Sequence, residues 1–118
     1  MTTILIADDA AFMRMRCGKL LTDNGFSVIE AENGREAVDK YVAHRPDAVL
    51  LDITMPELDG LGALKEIMSQ DPTARIAMVT AVGQQQVGME ALKNGARDFV
   101  VKPFQPERIL AAIQKLMV

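Results

Sequence analysis

Five short apolar runs alternating with five amphipathic stretches predict an α/β fold: a single doubly wound (βα)5 domain around a five-stranded parallel sheet. Three observations carry that reading. Val49-Leu50-Leu51 is apolar at every position, as a strand covered on both faces must be, and such strands belong to parallel sheets. Gly25 and Gly95 stand just past two helical stretches, where a residue in the left-handed conformation ends a helix. No linker, repeat or low-complexity segment interrupts the alternation.

In chain order, Thr3 to Asp8 is β-branched and apolar and reads as the first strand. A helix over Ala11 to Asn24 follows, stopped by Gly25, and Phe26 to Ala31 forms the second strand. Asn33 with Glu36 three residues later has the spacing of a helix cap. Ala37, Val38, Tyr41 and Val42 are expected to supply the buried stripe of that second helix. Pro46-Asp47 breaks it before the third strand, Ala48 to Asp52. The third helix is expected over Leu58 to Gln70, with Leu61, Leu64, Ile67 and Met68 at helical spacing. Asp71-Pro72 turns the chain into a fourth strand, Arg75 to Thr80, and Gln84 to Asn94 is the fourth helix. Arg97 to Val101 is the fifth strand, and Pro106, suited to a first helical turn, opens a last helix ending near Met117. Ile109, Ile113, Leu116 and Met117 form its inner face. The sheet order expected at this size is the flavodoxin-like 2-1-3-4-5.

Composition narrows the function classes. The chain has 118 residues, 49% of them hydrophobic and 25% charged, enough for one core. A net charge of -3 and the lack of a basic stripe argue against nucleic acid as a partner. No apolar run has the length of a membrane span and the amino terminus carries no signal pattern, so the expected location is cytoplasmic. The single cysteine, Cys17, excludes an internal disulfide and reads as helix packing. His44, the one histidine, falls near the end of the second helix and reads as a surface residue.

The strand ends carry the chemistry. The first strand closes on Asp8-Asp9, the third on Asp52, the fourth on Thr80 and the fifth on Lys102-Pro103. With the order 2-1-3-4-5 these side chains meet at the carboxyl rim of the sheet, where open α/β sheets place their ligands. Three neighbouring carboxylates cannot all stay ionised unless a cation joins them or one keeps its proton. Oxygen ligands without histidine or cysteine select a hard ion, Mg2+ or Mn2+. Lys102 adds a positive charge and Thr80 a hydroxyl, so the pocket suits a metal-bound anion with several oxygens, best a phosphoryl group. A nucleotide or flavin phosphate fits poorly, because Asp8-Asp9-Ala10 replaces the glycine- or hydroxyl-rich loop such ligands require. A small metal-dependent phosphatase stays open as an alternative, since an aspartate nucleophile beside metal ligands is shared chemistry.

Asp8-Asp9, Asp52 with Met55-Pro56 and Asp59-Gly60, Thr80, and Lys102-Pro103 all stand in register with one family. Over its full length, residues 1–118, the chain resembles the receiver domain of two-component response regulators, most nearly the stand-alone chemotaxis type. The resemblance implies that Asp52 accepts a phosphoryl group from a CheA-like histidine kinase. It implies Mg2+ held by Asp9, Asp52 and the backbone carbonyl of Thr54, with Asp8 acting through water. Lys102 would pair with Asp52 and then with the phosphoryl oxygens, Thr80 would bond the phosphoryl group, and Phe99 would turn inward as Thr80 moves. Position 99 is Phe where many members have Tyr, so packing alone would carry that switch. The same resemblance implies a cis Lys102-Pro103 bond. It also implies an output face formed by the fourth helix, fifth strand and fifth helix, and a flagellar motor switch protein as downstream partner. Catalysis would be limited to the domain's own phosphorylation and dephosphorylation, and nothing after the fifth helix is expected to act as an output module. The excised receiver of a transcription regulator is the alternative within the family.

Overall fold

A computed structural model describes residues 2–118. Strands β1 (Thr3–Ala7), β2 (Ser27–Ala31), β3 (Ala48–Asp52), β4 (Ile76–Thr80) and β5 (Asp98–Val101) alternate with helices α1 (Ala11–Asp23), α2 (Gly34–His44), α3 (Gly60–Gln70), α4 (Gln85–Lys93) and α5 (Pro106–Met117). The strands pair in parallel, as the alternation implies, and in the expected order β2-β1-β3-β4-β5. Register brings the ends level: Ala7 lies opposite Leu51, Asp52 opposite Val79, and Thr80 opposite Val101. No helix is long and apolar enough to cross a membrane among the described residues.

Each face of the sheet has its own core. Leu5, Val49, Leu51, Ile76 and Met78 face α2, α3 and α4, whereas Ile4, Ile6, Leu50, Ala77 and Val100 face α1 and α5. All five residues of β3 are buried. Full burial of a leucine such as Leu50 or Leu51 contributes about 2 kcal/mol, and this anchors the strand whose last residue is Asp52.

Local chemistry explains the ends. Asn33 caps α2 by accepting the Glu36 N–H at 2.7 Å, as its spacing predicts. Gly25 and Gly95 both have positive φ, +89° and +111°. The end of α2 instead uses Arg45 at φ 46°, a left-handed L-residue that the sequence gives no reason to expect. The third helix starts at Gly60 rather than Leu58, because Asp59 is its cap and accepts the Gly62 N–H at 2.8 Å. Val42 is exposed and leaves the expected stripe of α2 to Ala37, Val38 and Tyr41. The fourth helix runs from Gln85 to Lys93, one residue shorter at each end than the pattern suggests.

Gly60 is where packing admits no side chain. A Cβ there would stand 2.0 Å from the Asp52 carbonyl oxygen, and its N–H already donates to the Ile53 carbonyl at 2.7 Å. The first turn of α3 is thus pressed against the end of β3, which fixes the backbone that carries Asp52.

Candidate functional site: an acidic nest at the carboxyl rim

Asp52 ends β3, and Asp8 and Asp9 follow β1, its neighbour in the sheet. One carboxylate oxygen from each of the three lies within 4.8 Å of the others. Asp8 and Asp52 are buried, each 6% exposed, and Asp9 is open to solvent. The turn after β1 is held in place locally. Asp8 Oδ1 accepts the Ala10 N–H at 2.9 Å, and Arg14 donates to the Asp8 carbonyl at 2.7 Å.

Lys102, just past β5, reaches across the rim. Its Nζ lies 3.1 Å from Asp8 Oδ2 and 3.4 Å from Asp52 Oδ2. Its backbone N–H donates to the Thr80 carbonyl at 2.7 Å, and the Lys102-Pro103 peptide is cis. Thr80 is fully buried, and its hydroxyl has no hydrogen-bond partner among the described residues. An unsatisfied buried hydroxyl costs about 1–3 kcal/mol, so this orphan donor one strand from Asp52 marks a place for a polar ligand.

The charges are out of balance. Burial, reinforced by the negative charge of Asp8, pushes the Asp52 carboxyl up to about 6, with Lys102 offsetting part of the rise. For Lys102 burial works against the ammonium, but the charges of Asp52 and Asp8 outweigh it and hold its pKa above the ordinary lysine value. Three carboxylates against one ammonium leave room for a divalent cation. The donors are all oxygen, as a hard ion such as Mg2+ prefers.

Phe99 is half-buried on the α4 side of β5. Gly88, in α4, makes room for it: a Cβ at Gly88 would stand 3.0 Å from the Phe99 ring and 3.3 Å from the Thr80 methyl. On the other side of β5, Asp98 takes both carboxylate bonds from Arg108 of α5 at 3.1 Å, tying that helix to the strand. Thr54 lies in the loop after β3, exposed, and its hydroxyl accepts from Gln84 Nε2 at 2.9 Å. Asp8, Asp9, Asp52, Thr54, Thr80, Phe99 and Lys102 thus stand at or beside one rim, whereas His44 ends α2 at the opposite edge. Gly88 and Gln84 did not stand out in the sequence, where their segment reads only as the start of a helix. Cys17 is buried and burial raises its thiol pKa, as a packing residue would show.

A doubly wound sheet with a carboxylate nest, a lysine and a hydroxyl without a partner among the described residues converging on one rim offers the charge and donors that suit a small oxyanion beside a cation. The chain belongs to the response regulator receiver domain family, whose profile matches residues 4–114. It is 57% identical to the chemotaxis protein CheY of Bacillus subtilis over 97% of this chain and 96% of that protein. With CheY of Thermotoga maritima the identity is 54%, over 96% and 95% of the two chains. Among solved structures, CheY in the CheX-CheY-BeF3-Mg complex of Borrelia burgdorferi superposes with a TM-score of 0.94 at 38% identity, covering 99% of this chain and 90% of that one.

Proposed function

We propose that residues 1–118 act as one receiver domain and that Asp52 is its phosphoacceptor. The observation that carries this is Asp52 itself, buried at the end of β3 within reach of Lys102, Asp8 and Asp9. In the reaction an Asp52 carboxylate oxygen attacks the phosphorus of a phosphohistidine. The P–N bond breaks, the electron pair returns to the imidazole nitrogen, and an acyl phosphate remains on Asp52. Asp9, Asp52 and the Thr54 carbonyl would hold Mg2+, with Asp8 acting through water; bound there, the ion offsets negative charge on the phosphoryl oxygens. Lys102 keeps a positive charge beside the same oxygens and favours the ionised, nucleophilic form of Asp52. Thr80 gives its unpartnered hydroxyl to the phosphoryl group, and its movement draws the loop after β4 inward.

Phosphorylation then shifts a two-state equilibrium on the face made by α4, β5 and α5, with Phe99 as the moving ring. The CheY relatives support a chemotaxis setting, with a CheA-like histidine kinase as donor and a flagellar motor switch protein as receiver of the signal, in the cytoplasm. The domain catalyses only its own phosphorylation and dephosphorylation. Incubation with acetyl phosphate and Mg2+ should give one hydroxylamine-labile phosphate per chain in the wild type and none in Asp52→Asn. Labelling that survives in Asp52→Asn, or steady turnover of an external phosphomonoester, would overturn the proposal.

A further inference from the structure

The acidic nest leaves the glutamine run Gln84-Gln85-Gln86 unexplained, yet one of these side chains closes across the rim. Gln84 sits immediately before α4. Its Oε1 accepts the Ala81 N–H at 3.3 Å, while its Nε2 donates to Thr54 Oγ1 at 2.9 Å. Ala81 directly follows Thr80, and Thr54 is two residues past Asp52. One carboxamide, using both its acceptor and its donor, therefore spans the loops after β3 and β4 on either side of the site. Beside it Gln85 Oε1 accepts the Gly83 N–H at 2.9 Å, so the same loop is held a second time.

We propose that Gln84 is a positioning residue for phosphorylation: a latch that is closed in the unphosphorylated protein and opens when Asp52 is modified. The inference rests on the phosphoacceptor reading, in which Thr80 moves toward the phosphoryl group and carries Ala81 with it. The Ala81 bond is the long one of the pair, and a neutral amide oxygen holds its donor less firmly than a charged group would. Moving Ala81 breaks that bond first and leaves the carboxamide held only through Nε2, so that the bond to Thr54 is the one left to part as the loop after β4 is drawn away. A contact present only in the unphosphorylated state biases the equilibrium against the phosphorylated one, so removing it should favour the latter.

The test uses beryllofluoride as the phosphoryl mimic with saturating Mg2+. Gln84→Ala and Thr54→Val, which keeps the backbone carbonyl, should each tighten beryllofluoride binding about two- to tenfold, the worth of one net hydrogen bond. The double variant should bind no more tightly than the better single one, because both remove the same bond. Mg2+ affinity of Gln84→Ala without beryllofluoride should stay at the wild-type value, a split that general loosening of the loops would not produce. Unchanged or weaker beryllofluoride binding in Gln84→Ala, effects that multiply in the double variant, or a loss of Mg2+ affinity would each overturn the latch. A wild type that binds Mg2+ but neither beryllofluoride nor phosphate would overturn the phosphoacceptor reading and the latch with it.

Discussion

Two aspartates at opposite edges of the sheet, Asp52 and Asp71, show how one residue type is put to two uses. Asp71 follows α3 at the amino edge and is surrounded by donors. The Thr73 hydroxyl at 2.6 Å, the Tyr41 hydroxyl at 2.7 Å and the Thr73 N–H at 3.1 Å all point at it. Those bonds, the Thr73 hydroxyl first, with Arg45 adding its charge, hold its carboxyl down at about 2. Tyr41 shifts the opposite way, pushed up to about 12 by burial and then by the bond to Asp71. At the carboxyl edge, Asp52 is buried next to another carboxylate and sits at about 6. A satisfied carboxylate fastens elements together, here α2 to the turn before β4. A dissatisfied one stores a demand for positive charge, and that demand is what a ligand can meet.

Removing the lysine should separate the two ends most sharply. Lys102→Ala should slow phosphorylation by acetyl phosphate about 100-fold, the scale for losing one charged group from a preorganised site. The same substitution should leave the Tyr41–Asp71 end untouched, as amide chemical shifts around Thr73 would report.

Next in size is a difference of sign. Folding raises Asp52 above its unfolded value, so its ionisation opposes folding. That penalty is absent below about pH 4, where the group is protonated in both states, and is complete above its folded value of about 6. Asp52→Asn should therefore stabilise the metal-free protein by about 1–3 kcal/mol at pH 8, and the gain should vanish toward pH 4 in urea titrations. Asp71 behaves oppositely: its stabilising contribution is complete above its unfolded value and is lost as pH falls through about 2. Asp71→Asn should thus destabilise at pH 8. Equal signs for the two substitutions would remove the contrast.

Smallest is Tyr41→Phe, which deletes one hydroxyl and keeps the ring. A slightly lower Tm with an unchanged phosphorylation rate is the expected result, checked by thermal melts and acetyl phosphate labelling. A changed rate would mean that the two edges are coupled through the sheet.

The sequence made the fold and most of the site legible because both depend on short-range pattern. Apolar runs such as Val49-Leu50-Leu51 declare buried strands, and the strand order then places Asp8, Asp9, Asp52, Thr80 and Lys102 together. Val42 failed that logic because it lies about 40° beyond Val38 around the helix, and Val38 is already the edge of the buried stripe. The start of α3 shifted because Asp59 competes as a cap with the apolar residue before it. Least legible were the contacts made by orientation alone. The reach of Gln84 to Thr54 crosses 30 residues, and no spacing rule links them. The vacancy at Gly88 acquires meaning only once the Phe99 ring is known to lie over it.

That glycine bears on how the molecule breathes. With nine residues α4 is the shortest helix, and an interior glycine costs it about 1 kcal/mol against alanine. Its entry has no cap of the usual kind: Gln84 makes no side-chain bond to the helix's first amides. Local opening should therefore begin there, and in deuterium exchange the α4 amides should be the first of any helix to be replaced. The surface offered to a partner would then be the least rigid part of the domain, free to be remade on contact.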